Sequence, residues 1–271
     1  MINKMKIIDC FTFYNELELL TYRLNLLNSS VDYFILAEAT HTHAGFTKPL
    51  FFEENKSLFK EFEHKIIHII VDNFPFKKEN ETSPFKAGYQ WANEEWQRDA
   101  LKRGLSLLSI ADEDQIVLCD LDEIPNPATL AKLRTAPVTK LCILQMDMYF
   151  YTLQNKLHDP WRHARVAPYS YVKNLGSYSK QFRFGPTTTI INAGGWHLSY
   201  FMSPLGISNK IKNFAHQEFN QSEYTEPELI RKRIEKCSDP YDRQDITIQK
   251  ISILTNTNLP PLYETYLSAF C

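Results

Sequence analysis

The sequence predicts one α/β domain in which a mostly parallel central sheet is flanked by helices. Up to residue 125, apolar runs of strand length alternate with segments whose apolar residues recur at helical spacing. The chain of 271 residues is near the upper size of a single domain, and neither a low-complexity linker nor an internal repeat divides it. Alternating strands and helices imply a parallel sheet, whose ligands bind beyond the carboxyl ends of the strands.

The elements of the first half begin with a strand at residues 6–13 and a helix at 16–27, in which leucines recur along one face. The next are predicted at 31–37 (strand), 51–62 (helix), 65–71 (strand), 89–109 (long helix), 116–119 (strand) and from Pro127 onward (short helix). The second half is mixed, with aromatic, β-rich segments at 141–153, 164–174 and 178–192 and with helices at 204–214 and 227–237.

Charge and composition exclude several classes of protein. Thirty basic and 32 acidic side chains give a net charge of −2, and no lysine-rich face stands out, so nucleic acid is not expected as the main ligand. The five cysteines form no CxxC or His/Cys pattern, and their odd number fits a reducing compartment. No apolar run is long enough to span a bilayer. We therefore expect a cytoplasmic protein that associates with a membrane peripherally at most.

The most informative run is residues 115–125, where an apolar strand ends in carboxylates and a proline follows. Because side chains alternate along a strand, Asp120 and Asp122 project to one side while Leu121 turns to the core. Two converging carboxylates suit Mg²⁺ or Mn²⁺, which take oxygen ligands and keep positions open for a diphosphate such as that of a nucleotide sugar. The alternative is an ordinary acidic loop, since residues 112–114 are also acidic.

Several separated segments together resemble glycosyltransferase family 17. In chain order they are residues 13–20 with Arg23-Leu24, 31–34 with Glu38, 42–45 with 48–50, 97–99, 120–125, 195–199, and 206–207 with Lys210-Ile211. The resemblance implies a GT-A fold, a divalent metal (Mn²⁺ or Mg²⁺) on the Asp-x-Asp, and an inverting transfer from a UDP-sugar, UDP-N-acetylglucosamine above all, to a glycan acceptor. We accordingly divide the single domain 1–271 into a nucleotide-sugar half, 1–125, and an acceptor half, 126–271.

Donor-binding candidates lie at several strand ends and in the long helix. Asn15 and Glu16 follow the first strand, where the resemblance implies that the nucleoside binds, although Asn15 would equally serve as a helix N-cap. Glu38 lies in a segment that carries the resemblance, and it joins the donor candidates together with Asp120. Arg98 offers a guanidinium fork for a diphosphate or for a carboxylate that orients the metal site. The alternative for Arg98 is a surface ion pair with a glutamate one turn earlier in the helix.

The predicted metal ligands are Asp120, Asp122 and His197. His197 follows two glycines, which let the backbone approach a ligand closely, and it would supply a nitrogen ligand. A core histidine at this position, with His216 as the ligand instead, is the alternative. Glu123 is predicted either to support the metal ligands or to cap the helix that begins at Pro127.

The predicted general base is Glu218, which follows His197 by a loop and a helix-like segment in the acceptor half. Asp147 and Glu123 are its rivals. The alternative for Glu218 is an ion pair with Lys212 on an exposed face.

The sequence also predicts where three further side chains lie. Trp161, in a polar loop, is the expected platform for an acceptor sugar, although large aromatic residues usually belong to the core. Lys180 and Arg183 are expected at the surface, with phosphate binding as the alternative.

Two other functions use the same features. A phosphotransferase or hydrolase would use the Asp-x-Asp, but such enzymes normally place it after the first strand and here it follows the fourth. A non-catalytic carbohydrate-binding module would explain the 14 Tyr, 18 Phe and 4 Trp residues and would need neither UDP nor metal.

Overall fold

One mixed sheet runs through both halves of the chain. In the computed structural model, which describes residues 5–80 and 82–271, this sheet has ten strands. They are β1 (Ile7–Phe13), β2 (Tyr33–Ala39), β3 (Ile66–Val71), β4 (Gln115–Asp120), β5 (Glu123–Pro125), β6 (Cys142–Phe150), β7 (Asn155–Leu157), β8 (Arg165–Pro168), β9 (Ile190–Ser199) and β10 (Ile248–Lys250).

The α-helices are α1 (Leu17–Leu27), α2 (Phe51–Glu54), α3 (Tyr89–Asp99), α4 (Leu101–Leu105), α5 (Pro127–Leu133), α6 (Tyr169–Val172), α7 (Pro204–Asn213), α8 (Ser222–Thr225), α9 (Pro227–Lys236) and α10 (Tyr263–Tyr266). Short 3₁₀ helices lie at Lys56–Phe62, Gln217–Phe219 and Ser268–Phe270, and a π-helical turn lies at Tyr178–Arg183.

The parallel part of the sheet confirms the alternation predicted for the first half. β1 lies between β2 and β4 and is parallel to both, and β3 continues the sheet beyond β2. β1, β2 and β4 are buried on both faces, because α1 packs on one face and α4 on the other, whereas β3 is only partly buried. In this register Thr12 of β1 lies beside Asp120 of β4. The Asp-x-Asp therefore stands at the carboxyl edge of the parallel strands.

The rest of the sheet is largely antiparallel. β8 pairs with β4, and β6 pairs antiparallel with β7 and β8 and parallel with β9. β5 pairs antiparallel with β9, and this register sets Glu123 opposite His197. Gly195 has φ +148°, and a Cβ there would lie 2.0 Å from the carbonyl oxygen of Ile124, so the close approach of β9 to β5 requires glycine. The sheet thus brings the Asp-x-Asp turn and the Gly-Trp-His segment together.

Four predicted elements differ from the structure. The helix predicted at 51–62 is divided into α2 and the 3₁₀ helix Lys56–Phe62. The segment 164–174 was expected to be β-rich, but its strand ends at Pro168 and α6 follows. The segment 178–192 was expected to be β-rich, but Tyr178–Arg183 forms the π-helical turn and the strand begins only at Ile190. The carboxylate of Asp99 accepts the backbone N–H groups of Tyr178 and Ser179, at 2.6 and 2.9 Å, and thereby turns the chain. The helix predicted at 89–109 is divided at Ala100 into α3 and α4 and ends at Leu105.

Three apolar clusters build the core. One lies on the α1 face of the sheet, a second lies on the α4 face, and a third lies beneath α7 and α9 and includes Ile207, Ile211 and Ile230. The third cluster anchors α7 against the end of the sheet, which places its polar face beside the Asp-x-Asp turn. In the part of the chain that the structure describes, no helix has the length and apolar character needed to cross a membrane.

Candidate functional site

A cavity of about 300 Å³ opens at the carboxyl edge of β1 and β4. Its polar lining includes Thr12, Tyr14, Glu16, Lys48, Asp120, Asp122, His197, Lys210 and His216. Its apolar lining includes Met148, Phe150, Trp161 and Phe219. Over the described residues, the lining leaves out five predicted site residues: Asn15, Glu38, Arg98, Asp147 and Glu218.

Asp120 is held from two sides by buried guanidinium groups. Its Oδ1 lies 3.2 Å from Arg98 Nη2, and its Oδ2 lies 2.9 Å from Arg183 Nη2. Burial acts to raise the pKa of Asp120, but Arg183 and Arg98 outweigh it and hold the pKa well below its usual range. Arg98 also forms the ion pair expected within its helix, because Arg98 Nη2 lies 3.0 Å from Glu94 Oε1. Arg98 is nevertheless buried, so it orients Asp120 and is not a surface residue.

Glu123 is a fully buried carboxylate behind Asp120. Its Oε2 accepts from Arg183 Nη1 at 2.6 Å and from the backbone N–H of Asp120 at 3.0 Å. Its Oε1 accepts from the indole N–H of Trp161 at 2.5 Å, which fixes that ring in the cavity wall. Arg183, expected at the surface, is only 2% exposed because it spans two carboxylates. Glu123 therefore supports Asp120, and the cap of α5 is supplied by Asn126.

Asp122 faces the cavity with a different set of partners. Its Oδ2 lies 2.9 Å from Lys210 Nζ, and its Oδ1 lies 3.5 Å from His197 Nε2. Lys210, on α7, also lies 3.2 Å from Glu16 Oε1. Burial acts to raise the pKa of Asp122, but Lys210 and His197 hold it well below its usual range. Burial acts to lower the pKa of Lys210, but Asp122 and Glu16 hold it above its usual range. The ammonium group thus bridges two carboxylates.

The Asp122–His197 pair fits a hard divalent ion. Neighbouring ligands of an octahedral ion with bonds of ~2.1 Å lie about 3 Å apart, close to the 3.5 Å between Asp122 Oδ1 and His197 Nε2. Asp120 is less suited, because both of its carboxylate oxygens already face guanidinium groups. Across the described residues, no group of three or more His, Cys, Asp or Glu side chains is arranged to hold a metal. Oxygens of a donor or of water would have to complete the shell.

The two predicted bases lie in different surroundings. Glu218 is exposed, but its Oε1 lies 2.7 Å from Nδ1 of His216, which does line the cavity. Asp147 precedes the cavity-lining Met148 on β6, so its side chain points to the opposite face of the strand. There its Oδ2 lies 2.8 Å from Lys156 Nζ. The structure therefore brings Glu218 to the cavity only through His216 and does not bring Asp147 there.

Glu38 stands behind the cavity, and Asn15 does not line it. Glu38 is fully buried, and its carboxylate accepts the backbone N–H of Phe52 at 2.9 Å and lies 3.1 Å from His68 Nε2. Its Oε1 also lies 3.7 Å from Nζ of Lys48, which lines the cavity, so Glu38 reaches a ligand only through this lysine. The N-cap position of α1 is occupied by Glu16 and not by Asn15.

Three residues at the site were not found by sequence reasoning. Lys210 belongs to a segment that carries the family resemblance, but its pairing with Asp122 depends on the position of α7. Arg23 and Asp9 form a fully buried ion pair behind the Asp-x-Asp turn. A signal for this pair was present, because Asp9 interrupts the apolar run of β1 and Arg23 lies among the leucines of α1. Opposite charges inside two apolar runs indicate a buried ion pair.

Comparison with known proteins identifies the family. The model of glycosyltransferase family 17 matches residues 1–246 of the chain. No curated protein matches the sequence. Among solved structures, the chain is similar to the crystal structure of HddC from Yersinia pseudotuberculosis complexed with GMP-PN, with a TM-score of 0.38 and 9% sequence identity. That similarity covers 72% of this chain and 91% of the other.

Proposed function

Because the chain belongs to glycosyltransferase family 17, and is therefore a glycosyltransferase, we propose that it transfers N-acetylglucosamine from UDP-N-acetylglucosamine, with inversion, to a hydroxyl group of a glycan acceptor. We also propose that its fold is of the GT-A type. The observation that carries the proposal is the cavity at the carboxyl edge of the parallel strands, where Asp120, Asp122 and Lys210 lie together.

The cations of the cavity support a donor that contains a diphosphate. Lys210 and Lys48 both line the cavity. The side chain of Lys48 is only 5% exposed, and its ammonium group lies 5.6 Å from the ring centroid of Tyr14 and 5.2 Å from that of Phe51. An ammonium group that is largely removed from water attracts phosphate oxygens more strongly than one in water, and Lys48 shares its charge with the carboxylate of Glu38, 3.7 Å away. Two lysines that line one cavity therefore suit the two phosphates of a UDP-sugar.

We place a divalent ion, Mn²⁺ or Mg²⁺, at Asp122 and His197, with Asp120 beside them. When bound, such an ion would act as a Lewis acid on the leaving diphosphate, a contribution of several kcal/mol. Lys210 binds the same carboxylate, Asp122, as the ion would. Its ammonium group therefore adds a second positive charge to the same side of the donor. Arg98 holds Asp120 in its ionised form and in a fixed direction.

The proton of the acceptor hydroxyl passes to His216 in this proposal. Because Glu218 Oε1 lies against Nδ1 of the ring, that bond leaves Nε2 to accept a proton, and the carboxylate then stabilises the imidazolium. The predicted base Glu218 thus acts through His216. A general base of this kind contributes ~10²–10⁴ in rate. A single displacement with inversion requires no covalent intermediate on the protein.

Calorimetric titration with UDP-N-acetylglucosamine, with and without Mn²⁺, tests the proposal. The parent protein should bind the donor in a Mn²⁺-dependent manner, and Asp122→Ala should lose this binding while it keeps the fold. The control is Asp112→Ala, which changes an exposed aspartate paired with Lys173 and should bind like the parent. Equal affinity in Asp122→Ala and the parent would contradict the metal assignment. Binding of glycan without any binding of the donor would favour the carbohydrate-binding alternative. The acceptor and the cytoplasmic location stay predictions of the sequence.

A further inference from the structure

Behind the Asp-x-Asp turn, Arg23 and Asp9 form an ion pair from which solvent is excluded. Arg23 Nε lies 2.8 Å from Asp9 Oδ2, and Nη2 lies 2.7 Å from Oδ1. Both side chains are 0% exposed, and the guanidinium carbon lies 4.4 Å from the ring centroid of Phe11. Burial acts to lower the pKa of Arg23, but Asp9 outweighs it and raises the pKa above its usual range. The guanidinium plane is therefore fixed on two of its three nitrogens.

The third nitrogen of Arg23 is directed at the Asp-x-Asp turn. Nη1 donates to the carbonyl oxygens of Asp120, Leu121 and Glu123, at 3.0, 2.9 and 2.7 Å. Each peptide unit is planar, so holding the carbonyls of successive peptide units fixes the backbone torsions between them, and with these the direction of the Cβ of the residue between. When these carbonyls point inward at one nitrogen, the side chains of Asp120 and Asp122 are set toward the cavity.

We propose that Arg23, oriented by Asp9, is a positioning residue that fixes the turn carrying Asp120 and Asp122, and that donor affinity depends on it. A buried ion pair by itself is weak evidence for a stabilising role, because apolar residues of similar volume often replace it without loss. What distinguishes this pair is the nitrogen that it presents to three carbonyls of one functional turn. The proposal rests on the proposed function only for the identity of the donor.

A matched pair exists at the opposite edge of the sheet. Arg134 Nη2 lies 2.8 Å from Asp32 Oδ2, and Arg134 also donates to the carbonyl oxygens of Met5 and Ser30, at 2.9 and 2.7 Å. These groups lie at the amino ends of β1 and β2, away from the cavity. The side chains of this pair are 16% and 27% exposed, so it is less buried than Arg23 and Asp9, but it also joins an arginine and an aspartate to main-chain carbonyls and lies away from the functional turn. It therefore serves as the control.

The test compares two double variants, Asp9→Leu/Arg23→Met and Asp32→Leu/Arg134→Met. Cooperative thermal unfolding establishes that each is folded. Amide hydrogen exchange over residues 119–125 and calorimetric titration with UDP-N-acetylglucosamine and Mn²⁺ are then measured. In Asp9→Leu/Arg23→Met we expect faster exchange in this segment and a donor affinity lower by about 10–100-fold, the usual effect of losing a supporting contact. The control variant should match the parent in both measurements.

The results for these variants show whether Arg23 positions the turn. Parental exchange over 119–125 together with parental donor affinity, in a folded Asp9→Leu/Arg23→Met protein, would overturn it. If that variant does not fold, Arg23→Lys keeps one charge against Asp9 but offers a single nitrogen, and the same two measurements on it apply. If the parent does not bind UDP-N-acetylglucosamine, the proposed donor is wrong, and the exchange measurement alone decides whether Arg23 positions the turn.

Discussion

Asp120 and Asp122 stand two residues apart, yet they belong to two differently built parts of the cavity. The floor is the group Asp120, Glu123, Arg98 and Arg183, of which Glu123 and the two arginines are buried. The rim is the group Asp122, Glu16, His197 and Lys210, whose carboxylates share the single ammonium group of Lys210. In the floor, planar guanidinium groups hold carboxylates through several bonds, whereas in the rim one flexible ammonium group is shared by two carboxylates. The floor therefore fixes the geometry of Asp120, whereas the rim is able to exchange its partners for those of a ligand.

Removal of Arg183 should have the largest effect, because the floor depends on it. Arg183→Met leaves the buried Glu123 without its cation and leaves Asp120 with Arg98 alone, so we expect a loss of about 3–5 kcal/mol in the free energy of unfolding, measured by chemical denaturation. The control is Lys180→Met in the same π-helical turn, whose ammonium is exposed and pairs with Glu95, for which a loss of ~0–1 kcal/mol is expected. Equal losses in the two variants would contradict a structural floor.

Substitutions in the pair His216–Glu218, which lies beyond the rim, should lower the rate of transfer and leave the free energy of unfolding unchanged. His216→Gln and Glu218→Gln should each lower kcat by ~10²-fold or more at unchanged donor affinity. Because Glu218 acts through His216, the double variant should fall no further than His216→Gln alone. His158→Gln is the control, since its ring also faces a carboxylate, at 3.3 Å, but lies outside the cavity. A Glu218→Gln protein with parental kcat at saturating donor and acceptor would remove both residues from the mechanism.

The smallest effect is expected at Lys210, where the rim exchanges partners. Lys210→Met removes an ammonium group that competes with the ion for Asp122. Two positive charges 4 Å apart in water repel each other by ~1 kcal/mol, so without the ammonium group the free protein should bind Mn²⁺ about fivefold more tightly. Binding is followed by the electron paramagnetic resonance signal of free Mn²⁺. Lys212→Met, at an exposed position on the same helix, should leave the affinity unchanged. Unchanged affinity in Lys210→Met as well would mean that its ammonium and the ion do not compete.

The parallel half of the fold was predictable because its signals are local. Strand-length apolar runs, the helix after β1 and the proline that opens α5 are each visible within a few residues. The π-helical turn at Tyr178–Arg183 was missed, because its aromatic residues suit a strand and because Asp99, which binds two of its backbone N–H groups, lies far away in the chain. The same fact explains why Arg183 was expected at the surface, since no neighbour in sequence reveals the carboxylates that bury it.

The order of amino acids was enough to indicate the family, the parallel strands, and the edge at which Asp120 and Asp122 stand, because these follow from short patterns and from motifs in a fixed order. Only the folded chain decided which charges meet. Lys210 lies 88 positions from Asp122, and Arg183 lies 60 positions from Glu123. Such pairs form only after strand register and helix packing bring distant segments together. Burial then makes them obligatory, since an unpaired charge inside the protein costs far more than one in water.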